Sequence, residues 1–311
     1  MAVTAAMVKE LREMTGAGMM DCKKALVETD GDIEKAVDVL REKGLSKATK
    51  KSGRIVAMGL VRMAFSDDHK KAAIVEVNSE TDFVAKNDEF IEFVEGLAKL
   101  ALESEAKDMD AFMQLSFDGG TVQDALTNKI AKIGENMNIR RFEKVQEEGV
   151  IYTGYLHGGG TIGAIVGLKT DATAEEVEIC GKDVAMQVAS MRPMYLDESS
   201  VDPAYIEHEK SILRQEVINE GKPEDMADKI VEGKIKKELK EVCLVEQKFV
   251  KDSDMTVKGY VADFAGKIGK EASIASYVRY KVGEGIEKKE EDFAAEVAAQ
   301  MANYSDRKSV V

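Results

Sequence analysis

The first part of the chain has the hydrophobic period of short helices. Ile33, Ala36, Val37 and Leu40 recur at the three- and four-residue spacing of one helix face. This pattern predicts a third helix from Ile33 to Lys43 that ends at Gly44. Two shorter helices precede it, one capped by Thr4 and one at about residues 20–28. We therefore expect a three-helix bundle, followed by a basic linker up to Arg54.

From residue 55 the pattern changes to that of strands and longer helices. Two strands are expected around the turn Asp67-Asp68-His69. A helix should then begin at about Asn87, and a further helix should lead into another strand. The expected strands are Ile55–Phe65, Ala72–Val77 and Ile139–Val145, and the second helix is Val122–Met137. This order predicts an α+β unit.

The same plan then repeats, with expected strands Ile151–Leu156 and Ile162–Leu168 and an expected helix Ala174–Met191. Ala73 to Val77 parallels Ala164 to Leu168 at an offset of 91 residues, whereas Ile133-Gly134 parallels Ile268-Gly269 at an offset of 135. The larger second offset indicates an insertion of 44 residues, near 198–245. The inserted segment has the pattern of an antiparallel helical hairpin with arms Ala204–Asn219 and Glu224–Glu241.

We therefore predict an α+β protein with an N-terminal three-helix module, a duplicated core, an inserted hairpin and a last helix, Glu291 to Met301. The expected domains are 1–54 for the helical module and linker, 55–148 for core subdomain 1, 149–282 for core subdomain 2 with its insertion, and 283–311 for a C-terminal module.

Charge and composition exclude several classes of function. The 44 Lys and Arg residues are outnumbered by 58 Asp and Glu residues, and a net charge of −14 argues against nucleic-acid binding. No apolar run approaches membrane-spanning length, so no membrane contact is expected. The three cysteines, Cys22, Cys180 and Cys243, have no metal-ligand spacing and fit a reduced, cytoplasmic location.

No catalytic constellation is evident in the sequence. Gly158 to Gly163 satisfies the G-x-G-x-x-G pattern, but a strand follows it where a dinucleotide site needs a helix. A hairpin turn is the better interpretation. An NAD-dependent oxidoreductase would use this loop, and calorimetry should show no NAD binding. We expect no cofactor, no metal and no enzymatic chemistry.

The segment Thr81-Asp82-Phe83-Val84 is apolar at its end within an otherwise polar connection. From the pattern alone, the favoured interpretation is that Phe83 packs the following helix onto the sheet. The alternative is an exposed anchor that inserts into a partner's pocket. The matching segment of the second copy, Lys169 to Thr173, keeps the Thr-Asp pair and lacks the aromatic residue, which favours the alternative.

Four motifs resemble the bacterial elongation factor Ts family, which comprises guanine nucleotide exchange factors for elongation factor Tu. The resemblance covers essentially the whole length. The motifs are Leu11-Arg12 with Thr15 to Leu26, Thr81 to Lys86, Ile133 to Arg141 and Val282 to Glu287.

The resemblance implies a role for each motif. The N-terminal bundle is similar to a ubiquitin-associated-like module that binds the GTPase, with contacts from Lys9, Arg12, Met19 and Met20. Thr81, Asp82, Phe83 and Val84 match a segment that disturbs the Mg²⁺ site of the GTPase, with Phe83 as the wedge. His157 matches a histidine that faces the partner.

Two points stay open in the sequence. At least one of Met19 and Met20 should be exposed. The hairpin could form a homodimer or a 2:2 complex with the GTPase.

The alternative function is a non-catalytic adaptor. Such a protein would bind a partner through the helical module while the core acts as a scaffold, and it would leave GDP release unchanged.

Overall fold

A computed structural model of the chain describes residues 3–15, 17–221 and 223–286. Three helices form the N-terminal bundle: α1 (Ala5–Thr15), α2 (Met19–Glu28) and α3 (Ile33–Thr49). Leu11, Cys22 and Leu26 are fully buried between them. Asp32 caps α3 by accepting a hydrogen bond from the Lys35 amide at 3.1 Å. The predicted three-helix bundle is confirmed.

The first core unit is a three-stranded antiparallel sheet, ordered β1-β2-β5, with helices on one face. Its elements are β1 (Met58–Phe65), β2 (Lys71–Ser79), α4 (Asp82–Ala85), α5 (Asp88–Glu103), α6 (Met109–Met113), β3 (Ser116–Phe117), β4 (Gly120–Thr121), α7 (Val122–Ile133) and β5 (Met137–Gln146). The sequence placed the end of α7 at Met137, which is wrong because Gly134 takes a left-handed φ of 91° and ends the helix.

The second unit repeats this order, with a sheet ordered β6-β7-β10. Its elements are β6 (Val150–His157), β7 (Ile162–Thr170), α8 (Ala174–Met191), α9 (Pro203–Asn219), α10 (Glu224–Val242), β8 (Lys248–Phe249), β9 (Asp252–Thr256), α11 (Val257–Ile268) and β10 (Ala272–Lys281). Both α7 and α11 follow a two-stranded ribbon, are capped by a threonine and end at a left-handed glycine. The predicted duplication is confirmed.

The two sheets pack face to face, and the helices cover their outer faces. Ile74 of β2 and Ile165 of β7 lie in the core between the sheets, whereas Val75 and Val166 point to the helices. Because both faces of the central strands are covered, β2 and β7 are apolar along most of their length rather than alternating.

The insertion predicted near 198–245 is the antiparallel pair α9 and α10. These helices have a small core of their own, formed by Val217, Ala227, Val231, Ile235 and Leu239. The predicted last helix, Glu291 to Met301, lies outside the described residues. Among the helices described, none is long and apolar enough to cross a membrane.

Helix α3 continues past the point where the sequence predicted its end. Gly44 is a buried position inside the helix, where a Cβ atom would lie 3.7 Å from the Cβ of Ala131 and 3.9 Å from Thr127 on α7. Gly44 therefore lies at the contact between α3 and α7 and does not end the helix. Arg41 forms an ion pair with Asp124 at the start of α7. The first part of the expected basic linker is thus a docked helix.

A buried carboxylate joins the first sheet to the end of the second unit. Glu76 on β2 is fully buried and pairs with Arg140 at 3.1 Å and Arg141 at 2.7 Å. It also accepts a hydrogen bond at 2.8 Å from the backbone N–H of Gly283, just after β10. Gly283 has a φ of 66°, and a Cβ atom there would lie 2.3 Å from the carbonyl oxygen of Ala57. The segment just before β1 and the segment just after β10 therefore meet.

Candidate functional site

The segment that the sequence singled out forms the short helix α4 at the end of β2. Val84 is buried in the core under the sheet, together with residues of α5. Phe83, one position earlier, is 80% exposed. Neighbouring residues of a helical turn point about 100° apart, so burial of Val84 turns Phe83 outward.

The interpretation of Phe83 as a core residue is wrong. The space between α5 and the sheet is already filled by Phe90 and Phe93, which are almost fully buried. Phe83 is the most exposed of the large hydrophobic side chains described. Its exposure leaves the ring free to act as an aromatic anchor in a partner's pocket, as the alternative interpretation expected.

Hydrogen bonds from the loop after α7 hold the backbone that precedes α4. The carboxylate of Glu135 accepts two of them from Thr81, one from the amide at 3.0 Å and one from the hydroxyl at 2.7 Å. In the reverse direction, the Asn136 amide donates to Glu80. Arg54 completes the connection, since its guanidinium pairs with Glu80 and its carbonyl accepts from the Asn136 side chain at 2.9 Å. The turn before α4 is therefore cross-linked to the loop that follows α7.

A charge pair lies beside the exposed ring. Lys86 donates to Asp82 at 2.6 Å, and its ammonium lies 6.0 Å from the centroid of the Phe83 ring. The hydrogen bond from Lys86, and then its charge, lower the pKa of Asp82 below the ordinary value. Asp82 is thus ionised at neutral pH and faces solvent together with Phe83.

The N-terminal module presents a second apolar surface. Met19 is 58% and Met20 is 63% exposed, so both of these side chains are available for contact. Lys9 and Arg12 are also exposed on α1. Lys9, Arg12 and Met19 help to line a cleft of about 620 Å³, whose other wall is Ala131 and Lys132 of α7.

His157 is the last residue of β6 and is exposed. Its Nδ1 atom lies 3.2 Å from the hydroxyl of Tyr155. The glycine turn that follows is held against the first sheet, because the carbonyl of Gly160 accepts from the Val61 amide at 2.7 Å. The candidate contacts therefore lie on three separate elements: Phe83 on α4, Met19 and Met20 on α2, and His157 on β6.

The glycine-rich pattern of residues 158–163 is a hairpin turn that leads into β7. A dinucleotide loop needs the N-terminus of a helix at this position, so the predicted turn is confirmed. Within the described residues, no group of three His, Cys, Asp or Glu side chains is arranged to hold a metal ion.

Comparison with known proteins identifies the family. A family model described as "Elongation factor TS" matches residues 80–284, which include α4, the second sheet and the hairpin. The chain is also similar to elongation factor Ts of Clostridioides difficile (strain 630), with 54% identity over 300 residues that cover 96% of this chain and 99% of the relative. The chain belongs to the elongation factor Ts family.

Further elongation factor Ts proteins show the same extent of similarity. The protein of Clostridium tetani (strain Massachusetts / E88) is 53% identical, and that of Clostridium novyi (strain NT) is 51% identical, each over 302 residues, 96% of this chain and 99% of the relative. Membership of the elongation factor Ts family makes the chain a translation elongation factor.

Sequence reasoning missed the residues that support the exposed ring. Glu80, Glu135 and Asn136 lie within or beside the motifs shared with the elongation factor Ts family, so the motifs marked the region. The bond between Thr81 and Glu135 joins positions 54 residues apart, and no local pattern indicates it.

Proposed function

We propose that this protein is the guanine nucleotide exchange factor for elongation factor Tu. It binds the GDP form of the GTPase, disturbs the Mg²⁺ site, promotes GDP release and dissociates when GTP binds. The observation that carries this proposal is Phe83, which is 80% exposed on a turn held by a buried neighbour and by a carboxylate.

A wedge of this kind can act without covalent chemistry. Mg²⁺ requires near-ideal octahedral geometry, so a small shift of its surroundings weakens the hold on a nucleoside diphosphate. Burial of an exposed phenylalanine side chain supplies about 1.5–3 kcal/mol toward such a shift. Because binding is reciprocal, the exchange factor and the nucleotide each lower the affinity for the other by the same factor. The protein would therefore not be an enzyme in the chemical sense.

Other exposed groups would hold the GTPase while the wedge acts. Lys9, Arg12, Met19 and Met20 form the proposed contact of the ubiquitin-associated-like module. Met side chains adapt to different surfaces, which suits a partner whose shape changes with the bound nucleotide. His157 would contact the same partner from the second unit. We place this activity in the cytoplasm, with no direct nucleic-acid contact.

The release of fluorescent GDP from elongation factor Tu, followed by stopped flow, tests the wedge. We expect Phe83→Ala to slow release by about tenfold or more, since most of a buried phenylalanine's contribution would be lost. Its melting temperature should stay unchanged, because the side chain is exposed. Ile179→Ala is the matched control, since Ile179 is 66% exposed on α8. Equal rates for the parent and Phe83→Ala would refute the wedge.

A non-catalytic adaptor is the second candidate, and the exposure of both Met19 and Met20 favours it. An adaptor would bind the GTPase and leave GDP release unchanged. Met19→Ser together with Met20→Ser should weaken binding under either function. The rate of GDP release with catalytic amounts of the parent protein therefore distinguishes the two functions, because only an exchange factor accelerates that release.

Assembly through the hairpin is also a proposal. Ile212 on α9 and Met226 on α10 are exposed in the region predicted to dimerise. A homodimer or a 2:2 complex would bury them, and light scattering of the free protein and of its complex would measure the stoichiometry. The predicted domain boundaries stay proposals, which limited proteolysis near residues 54, 148 and 282 would test.

A further inference from the structure

The backbone of the α4 turn is held from one side by Glu135. This residue follows Gly134, whose left-handed conformation ends α7 and turns the chain back toward β2. Both carboxylate oxygens are used: Oε2 accepts from the Thr81 amide at 3.0 Å, and Oε1 accepts from the Thr81 hydroxyl at 2.7 Å. Thr81 is the residue immediately before α4.

This contact replaces the usual cap of a helix. A threonine at the N-cap position normally accepts a hydrogen bond from the first turn through its side-chain oxygen. The Thr81 side chain makes no such bond, and its hydroxyl donates to Glu135 instead. The start of α4 is thus fixed to another loop of the protein rather than to its own helix.

The second copy has a different contact at the equivalent place. Thr170-Asp171 matches Thr81-Asp82, and Lys270 follows Ile268-Gly269 as Glu135 follows Ile133-Gly134. Lys270 pairs with the Asp171 carboxylate at 3.3 Å, and the Asp171 side chain is 68% exposed. An exposed ion pair of this kind contributes little rigidity. The Thr170 hydroxyl also reaches the equivalent loop, but it donates to the backbone carbonyl of Glu271 at 2.6 Å and not to a carboxylate. The carboxylate that holds the backbone belongs to the copy with the exposed aromatic residue.

The direction of the Phe83 side chain depends on the contact between Thr81 and Glu135. Because the ring is 80% exposed, core packing does not orient it, and the ring follows the backbone of α4. That backbone is held by burial of Val84, by the bond from Thr81 to Glu135 and by the Ser79 hydroxyl, which donates to the Thr81 carbonyl at 2.9 Å. We propose that Glu135 is a positioning residue for exchange, which holds Phe83 in the direction that reaches the Mg²⁺ site of the GTPase.

This role rests on the proposed exchange function, and a structural role alone is the competing explanation. Glu135→Ala removes both hydrogen bonds, and Glu135→Gln keeps one acceptor while its NH₂ group faces a donor. Lys270→Ala is the matched control, since it removes the side chain at the equivalent loop position of the second copy and its ion pair with Asp171. We expect about tenfold slower GDP release for Glu135→Ala, an intermediate rate for Glu135→Gln and the parent rate for Lys270→Ala.

A double-mutant cycle with Phe83→Ala separates positioning from stability. If Glu135 acts through the ring, Glu135→Ala will slow exchange in the parent and cause no further slowing in the Phe83→Ala background. If Glu135 only stabilises the fold, it will slow exchange by the same factor in both backgrounds, and that result would overturn the proposal.

A fluorescence measurement tests the orientation without the GTPase. The chain contains no tryptophan, so Phe83→Trp introduces a single indole at this site. Glu135→Ala should lower the steady-state anisotropy of that indole, whereas Lys270→Ala should leave it unchanged. Unchanged anisotropy in both variants would contradict the positioning role.

The outcomes also separate this inference from the function on which it rests. A parent protein that does not accelerate GDP release would overturn the exchange function and, with it, the role of Glu135. An active parent with an equally active Glu135→Ala variant would overturn only the positioning role.

Discussion

The ion pair between Arg41 and Asp124 should fix the N-terminal module to the first core unit. Arg41 lies on α3, and its guanidinium reaches the Asp124 carboxylate in the first turn of α7. The same carboxylate accepts from the Thr121 amide at 3.1 Å and hydroxyl at 2.9 Å as part of a capping box. Arg41→Met removes the charge partner and leaves the capping box in place.

The magnitude follows from the pKa of Asp124. The hydrogen bond from Arg41 is the largest cause that lowers this pKa from 3.8 to about 2. A shift of that size corresponds to roughly 2.5 kcal/mol of differential stability. Because the Arg41 side chain is 57% exposed, solvent screens the pair, and we expect Arg41→Met to cost about 1 kcal/mol.

The pH dependence has a defined sign. The pKa of Asp124 is lower in the folded state than in the unfolded chain, so its contribution is fully present well above pH 3.8. It is lost as the pH falls from there through about 2. A cost of about 1 kcal/mol corresponds to about 0.7 of a pKa unit, so the stability difference between the parent and Arg41→Met should shrink to about half near pH 2.4 compared with pH 7.

Urea unfolding followed by circular dichroism at both pH values measures this difference. Other carboxylates are common to the two proteins, so their titration cancels in the comparison. Arg214→Met is the control, since Arg214 pairs with Asp228 on the exposed surface of the hairpin and its loss should cost only a few tenths of a kcal/mol. A difference between the parent and Arg41→Met that is the same at pH 7 and at about pH 2.4 would refute the electrostatic explanation.

Three further outcomes follow from the structure. Glu76→Gln should lower the free energy of unfolding by about 3 kcal/mol in urea titration, because it leaves two arginines facing a neutral buried amide; a loss below 1 kcal/mol would contradict this. Gly283→Ala should lower the melting temperature, since its Cβ would overlap a backbone oxygen, whereas Gly285→Ala has open space and should cost less. Met19→Ser with Met20→Ser should weaken binding to the GTPase in calorimetry while the melting temperature stays within a few degrees of the parent's.

Local signals predicted the repeated elements well. Helix α8 begins and ends where the sequence placed it, because Thr173 and Glu176 form a capping box at its start. Apolar runs in the sequence also predicted the central strand of each copy, β2 in the first and β7 in the second. Such signals lie within a few residues of the element that they define, so a sequence pattern contains them.

Contacts between distant elements were not predictable in this way. Gly44 has the appearance of a helix end, and only the folded chain shows that α3 continues through it and packs against α7. The exposure of Phe83 depends on two other phenylalanines that already fill the core. The motifs located the candidate site by resemblance, but the hydrogen bonds to Glu135 required the folded chain.

The contact between Gly283 and Ala57 has a consequence for the order of the chain. It brings together the segment before β1 and the segment after β10, so the two-sheet core begins and ends at one place. A chain whose ends meet can be reconnected there and opened elsewhere without loss of its packing. The exposed tip of the hairpin at Gly221, between α9 and α10, is the natural point for new termini in a circularly permuted core.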